Sequence, residues 1–349
     1  MFMNREDNCI VTTDICSVLS ERISRLKPSS VTVLTDTNTK VFCYPHFSSV
    51  LPAHELITVS PGENNKNLRG AEEIWTALTH AQVDRKGLLI IAGGGVLGDM
   101  GGFCAATFKR GIEFILIPTT LLAQVDASVG GKLGIDFEGF KNHIGVFREP
   151  YCTIIDTVFL KSLPAAELRS GFAEIIKHCL VADRAMWETV RLKKYPEQDW
   201  NTLVSHSVAI KRKITESDPK ESGLRKILNF GHTIGHALES AALQSGKPIL
   251  HGEAIAAGMI CESFIAQKKN LINVTELSRI TDYLISVFGH HQPEKKSDDL
   301  VNLMLQDKKN QGKKILMALP EGIGSCKWDI ETTPAEILEA LDFYRNLKH

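Results

Sequence analysis

The spacing of apolar positions changes character near the middle of the chain. In the first half, short β-rich runs ("SVTVLTDTN", "HELITVSPG", "GLLIIAGGG", "FILIPTT", "CTIIDT") alternate with stretches of helical period such as "NLRGAEEIWTALTHAQ" and "GDMGGFCAATFKRG". Strands that alternate with helices predict a parallel α/β sheet. From "LPAAELRSGFAEIIKHCLVAD" onward the strand pattern nearly vanishes, and amphipathic segments such as "DWNTLVSHSVAIKRKITESD" and "VTELSRITDYLISVFG" take over. The second half is therefore expected to be helical. A chain of 349 residues suits two domains, placed at 1–163 (α/β) and 164–349 (mainly α-helical). The polar stretch "HHQPEKKSDD" reads as an exposed loop, and no internal repeat is present.

Charge and cysteine content narrow the partners. Lys plus Arg number 40 against 41 Asp plus Glu, a net charge of -1, so no overall positive field draws the protein to nucleic acid or anionic lipid. Eight scattered cysteines with no C-x-x-C pair fit a reducing cytoplasm rather than a disulfide scaffold. The opening "MFMNREDNCIVTTD" has no apolar signal core, and the most apolar run, "GLLIIAGGGVLG", is broken by glycines and followed by Asp99. A soluble cytoplasmic protein is expected, with no membrane partner.

After the strand-like "GLLII", Gly93, Gly95 and Gly98 satisfy G-x-G-x-x-G at the mouth of a helix. Backbone amides can approach a pyrophosphate there, and the helix N-terminus favours its charge; glycine turns also arise for packing alone. The acidic residue expected about 20 positions on is matched only by Glu113, at the start of the next strand, whereas the earlier strand end "LTDTN" offers Asp36 and Asn38. The stretch "PTTLLAQVDASVGGKLGIDFEGFKNHIG" sets Asp126, Lys132, Lys141 and Asn142 among glycines, and with Arg110 upstream these side chains suit phosphate and carboxylate. Charged residues in glycine loops are also often merely solvated.

In "NFGHTIGHALES", His232 and His236 lie four apart and share a helix face. His251 follows in "LHGEAIAAGM", and "GFAEIIKH" places Glu174, Lys177 and His178 on one face. A lone histidine is more often packed than functional. Two histidines and a carboxylate with an open position form a common catalytic zinc set, and Lys177, Lys211, Arg225 and Asn229 lie in neighbouring segments. The motif is not H-E-x-x-H, so peptidase chemistry has no support.

With these residues in place, the chain resembles the 3-dehydroquinate synthases, sugar-phosphate cyclases of the shikimate pathway. The likeness runs from "VTVLTDTN" to "DKKNQGKK" and rests on "GGGVLGDMGGF", "PTTLLAQVDASVGGK", "KNHIGVF", "GFAEIIKH", "LNFGHTIGHALE", "HGEAIAAGM" and "DKK" in order. The resemblance implies a Rossmann-like parallel-sheet domain followed by a helical metal- and substrate-binding domain, the dehydroquinate synthase-like fold. It implies catalytic NAD, Zn2+ or Co2+, and a small sugar-phosphate substrate, 3-deoxy-D-arabino-heptulosonate 7-phosphate, converted to 3-dehydroquinate and phosphate. The implied metal ligands are Glu174, His232 and His251. Asp126, Lys132, Lys177 and His236 are implied as catalytic, and Arg110, Asn142, Lys211, Arg225, Asn229 and Lys308 as substrate-binding, with Arg110 reaching across a homodimer. Asp36, Asn38, Glu63, Lys66, Gly94, Gly95, Val96, Asp99, Thr119, Thr120, Leu122, Lys132, Lys141, Phe159, Ser162, Leu163 and Glu167 are implied around NAD. The chain departs from the family pattern at Ala166, at Arg148 and in the spacing from His236 to His251. Two other readings share much of this pattern: a valiolone or 2-deoxy-scyllo-inosose synthase, and a metal-dependent polyol dehydrogenase of the glycerol dehydrogenase type. The first acts on substrates without the carboxylate that Arg225, Asn229 and Lys308 would meet; the second would not need "VGGK", "KN" and "DKK" together.

Overall fold

The computed structural model describes residues 8–127, 129–138, 140–293, 295–305 and 315–347, in two compact units, Met1–Pro164 and Ala165–His349. The first is built on six strands: β1 (Cys9–Thr12), β2 (Val31–Asp36), β3 (His54–Val59), β4 (Leu88–Gly93), β5 (Glu113–Pro118) and β8 (Cys152–Asp156). They run parallel in the order β1-β8-β5-β4-β2-β3. Every residue of β4 is buried, because a parallel sheet covered on both faces needs an uninterrupted apolar run. Its side chains alternate between two cores. Leu89 and Ile91 pack with α3 (Leu68–His80) and α4 (Gly95–Thr107), while Leu88, Ile90 and Ala92 pack with α1 (Ile15–Leu26) and Phe159.

The strand order reverses between β2 and β4, so their carboxyl ends, Asp36 and Gly93, flank the crevice where open α/β sheets bind ligands. Two features differ from the expected pattern. β1 has only four residues, too few for a periodic signal. The glycine-rich stretch is not an open loop but an antiparallel hairpin, β6 (Lys132–Phe137) with β7 (Phe140–Phe147). Its Gly134 and Gly145 face each other, and a Cβ on either would meet the opposing strand's carbonyl oxygen at 2.8 or 2.4 Å.

The second unit is helical, with α5 (Ala165–Ala182), α6 (Arg184–Arg191), α7 (Trp200–Ser217), α8 (His232–Gln244), α9 (His251–Lys268), α10 (Val274–Phe288), α11 (Ser297–Leu305) and α12 (Pro334–Arg345). α9 is buried on nearly all sides, as its run of apolar and small residues from Ala254 to Cys261 requires, and α5, α8, α10 and α12 pack on it. The half expected to be mainly helical also contains one hairpin, β9 (Ile315–Pro320) and β10 (Cys326–Thr332). Of the "HHQPEKKSDD" stretch, the described residues before Ser297 form neither helix nor strand, but they are not merely solvated: His290 packs edge-on against Tyr344, with ring centroids 4.6 Å apart.

Candidate active site

Three helices of the second unit converge at their functional side chains. Glu174 lies in the middle of α5, whereas His232 and His251 are the first residues of α8 and α9. Close backbone approach brings them together. A Cβ at Gly252 would lie 2.0 Å from the carbonyl oxygen of Ser170 on α5, and one at Gly258 would lie 2.0 Å from that of Gly231 before α8. Only glycine permits either contact.

The Oε1 atom of Glu174 is 3.5 Å from His232 Nε2 and 3.6 Å from His251 Nε2. Ligands of one tetrahedral ion with bonds of about 2.0–2.1 Å stand roughly 3.4 Å apart, so the spacing is that of a common metal. Glu174 is fully buried, and its Oε1 has no hydrogen-bond partner among the described residues. An enclosed carboxylate oxygen is costly unless a cation meets it, so this donor set fits a divalent ion. The Lys177 ammonium lies against the other oxygen. Burial pushes the Glu174 carboxyl up, but Lys177 and His251 prevail and hold it well below the usual carboxylate range.

The two imidazoles are set differently. His232 Nδ1 lies 3.1 Å from the carbonyl oxygen of Phe230, which fixes the proton on Nδ1 and leaves the Nε2 lone pair toward Glu174. Burial, reinforced by Lys177 and its neighbouring histidines, keeps it neutral by lowering its pKa well below the ordinary value. His251 is also lowered by burial, but Glu174 and Glu239 outweigh this and raise it to about 9. His236 stands beside the group, its ring 5.1 Å from His232 and 5.9 Å from His251. Among the described residues, His236, Glu239 and His251 form a second, overlapping set of donors.

The second unit also buries three cations, Lys177, Lys211 and Arg225, at 1%, 6% and 5% exposure, and a buried cation is costly without an anionic or polar partner. Arg225 is held by its backbone: Asp218 Oδ2 accepts from the amides of Gly223 and Arg225 at 2.7 and 3.1 Å, and Arg225 Nη1 donates to the carbonyl of Pro219. Asn229 donates to Glu221 at 2.7 Å. His178, one turn beyond Glu174, is fully buried with Nδ1 2.5 Å from Ser207 Oγ. Glu167 lies in the first turn of α5. Lys308 lies outside the described residues.

Gly93, Gly94, Gly95, Gly98, Asp99, Pro118, Ala123 and Ala127 line one cavity of the first unit, at the carboxyl ends of β4 and β5; of the residues expected around NAD it includes Gly94, Gly95 and Asp99. α4 begins after Gly94 with no side-chain cap, so its first amides are open to an anion. A Cβ at Gly94 would stand 3.0 Å from Thr120. Thr119 donates its amide to the carbonyl of Gly93 at 3.0 Å, and Thr120 Oγ1 accepts from Ala123; Val96 and Leu122 are half-buried beside them. Asp36 Oδ1 caps α2 (Thr37–Phe42), accepting from the amides of Asn38 and Thr39 at 2.8 Å each. Buried Lys66 donates to Asp99 and to Asn142, both at 2.6 Å, which brings Asn142, expected to bind substrate, beside two residues expected around NAD. Burial is the main reason that Asp99's pKa rises, against the pull of Lys66. Lys141 is 3.9 Å from Glu63, Asp126 falls in the turn Ala123–Ala127, and Lys132 opens β6.

Other placements are less direct. Glu113 begins β5, at the sheet end opposite the crevice, and lies 3.7 Å from Arg148, which excludes it as a ribose ligand. The Phe159 ring is 1% exposed within the sheet core, edge-on to His46. Ser162 and Leu163 end the short helix that follows β8. Arg110 is exposed with a left-handed backbone, φ 69°. Two acids escaped the sequence reading. Glu239, three residues after His236 on the same face, reaches His251 Nδ1. Glu262 is a fully buried carboxylate in α9, and an acid within so apolar a helix was itself a signal.

Models of two families match the chain: 3-dehydroquinate synthase N-terminal over residues 56–170 and 3-dehydroquinate synthase C-terminal over residues 171–310. The 3-dehydroquinate synthase of Parabacteroides distasonis is 42% identical over 347 residues, covering 97% of this chain and 98% of that protein. Among solved structures, 2-epi-5-epi-valiolone synthase from Streptomyces hygroscopicus, with NAD+ and Zn2+ bound, superposes with a TM-score of 0.86 at 25% identity, covering 99% of this chain and 98% of that one. A 2-deoxy-scyllo-inosose synthase complexed with carbaglucose-6-phosphate, NAD+ and Co2+ gives a TM-score of 0.83 at 24% identity over 95% of each chain, a likeness of fold.

Proposed function

The chain belongs to the 3-dehydroquinate synthase family, and from that membership we propose how its residues divide the conversion of 3-deoxy-D-arabino-heptulosonate 7-phosphate into 3-dehydroquinate and phosphate. Glu174, His232 and His251 hold one divalent ion, Zn2+ or Co2+. The observation that carries this reading is the enclosed Glu174 Oε1, 3.5 and 3.6 Å from two imidazole nitrogens. The carboxyl ends of β2 and β4 would hold NAD, with Gly94, Gly95, Val96, Thr119, Thr120 and Leu122 at the start of α4 and beside it meeting its pyrophosphate. Asp36 and Asn38 take the ribose side, and Glu63, Lys66, Asp99 and Lys141 border the site. Phe159, Ser162, Leu163 and Glu167 close its far side. When bound, the ion would supply Lewis acidity and NAD a reversible hydride acceptor.

The chain's own side chains do the rest by binding and orientation. Lys132, Lys177, Lys211, Arg225, Asn229 and Lys308, with Asn142, hold phosphate and carboxylate in fixed places, so that much of the catalysis is positioning and charge stabilisation. Asp126 and His236 face the reacting carbons. Arg225 favours the heptulosonate over a substrate without a carboxylate, because a buried guanidinium needs an anionic partner. We place the enzyme in the cytoplasm; among the described residues no helix is long and apolar enough to cross a membrane. It works as a homodimer in which Arg110 of the partner subunit completes the site. The exposure of Arg110 supports this, as do Phe140 and Phe147, exposed by 56% and 74% on the β6–β7 hairpin.

The test is titration of metal-free protein with Zn2+, followed by turnover with NAD+ and the heptulosonate phosphate. One ion per chain and phosphate release abolished by a chelator are expected. Undiminished turnover without bound metal would contradict the assignment.

A further inference from the structure

We infer that Glu262 is a positioning residue for the metal ligand His232, acting through the N-terminus of α8; the inference rests on the metal reading above. α8 starts badly by its own resources. Its N-cap is Gly231, in a left-handed conformation with φ 81°, and no side chain of its own caps the helix. The Glu262 carboxylate, fully buried in α9, supplies what is missing: Oε2 accepts from the Gly231 amide at 2.6 Å and Oε1 from the Ile234 amide at 3.1 Å. An ordinary N-cap side chain takes the third helical amide, and a capping-box acid takes the amide of the N-cap residue. Here one carboxylate from a neighbouring helix takes both.

The consequence falls on the ligands. His232 lies between the two amides that Glu262 grips, and His251 begins the helix that carries Glu262. Gly231 and Gly258 add a close backbone contact between the same two helices. The Glu262 clamp therefore sets how His232 stands relative to His251, although Glu262 is not among the proposed ligands. A negative charge at the start of α8 also complements the helix dipole, so the clamp is both geometric and electrostatic.

The test compares wild type with Glu262→Gln, an isostere that must turn an amide N–H toward one of two backbone donors. Zn2+ affinity is read by competition with a chelating indicator, the ligand field by the visible spectrum of the Co2+ form, and folding by circular dichroism. A folded variant with Zn2+ affinity reduced about tenfold, within the range for residues that orient metal ligands, and an altered Co2+ spectrum is expected. A folded variant that keeps wild-type affinity and spectrum would overturn the inference. If the variant does not fold, amide hydrogen exchange in the wild type decides. Coupling is reciprocal, so Zn2+ must slow exchange at Gly231 and Ile234, and unchanged exchange at both would overturn it. Failure of the wild type itself to bind Zn2+ would instead refute the metal site.

Discussion

His251 presents one ring nitrogen to each of two carboxylates, with Nδ1 3.3 Å from Oε2 of Glu239 and Nε2 directed at Glu174. A carboxylate behind a metal-ligating imidazole orients the ring and raises its basicity, and its loss typically costs about 10–100-fold in metal affinity or activity. Glu239→Gln should weaken Zn2+ binding by about that factor while leaving the fold intact. Indicator competition on the purified variant checks this, and unchanged affinity would remove Glu239 from the site.

The same arrangement sets a pH dependence. In the metal-free protein the His251 pKa is raised from 6.5 to about 9. A raised histidine pKa contributes stability that is fully present below the unfolded value and lost as pH rises through the folded one. Metal-free protein should therefore lose stability between about pH 6.5 and pH 9, as far as this group is concerned. The ion must displace the same proton, so Zn2+ affinity should rise about tenfold per pH unit from neutrality and level off near pH 9. His232, held neutral, adds no slope. Calorimetry in buffers of different ionisation enthalpy should show close to one proton released per ion at neutral pH; none released would contradict the arrangement.

Glu174→Ala removes the only carboxylate among the three proposed ligands. Both bound metal and turnover should be lost, with NAD+ binding retained, as metal analysis and calorimetry on the same sample would show. Full activity without metal would refute the assignment.

Arg225→Gln leaves a folded chain but deletes a charged partner for the substrate anion. Losing one charge-assisted bond costs about 1.5–3 kcal/mol, or roughly 10–150-fold in kcat/KM. Steady-state kinetics with the heptulosonate phosphate should show that loss, and kinetics equal to wild type would place the carboxylate elsewhere.

Gly258→Ala sets a methyl group where the Gly231 carbonyl oxygen would lie 2.0 Å away. The two ligand-bearing helices must separate, at a cost of about 1–3 kcal/mol or more. Thermal unfolding should show a lower midpoint, with Zn2+ binding weakened in parallel.

How legible each part was in the sequence follows from where its forces act. β4 and β5 announced themselves because a doubly covered parallel strand must be a nearly continuous apolar run, and β2 and β8 by their β-branched residues. α7 and α10 did so by their periodic apolar faces. β6 and β7 were mistaken for a glycine loop because the glycines serve cross-strand contact, which only pairing reveals. β9 and β10 stand among helices, without the alternation of strand and helix that marked the first half. Within the site, spacing paired His232 with His236, residue type added His251 and Glu174 as candidates, and it was the family resemblance that implied the set Glu174, His232 and His251. Glu262 acts across 31 residues on backbone amides, and a cap supplied from another helix leaves no local motif.

The central claim is the reaction, and the most direct measurement follows phosphate release and the NADH absorbance band together, with NAD+, Zn2+ and either 3-deoxy-D-arabino-heptulosonate 7-phosphate or sedoheptulose 7-phosphate. The account predicts chelator-sensitive phosphate release from the heptulosonate alone, with no net NADH. Release from sedoheptulose 7-phosphate in its place, or steady accumulation of NADH, would contradict it.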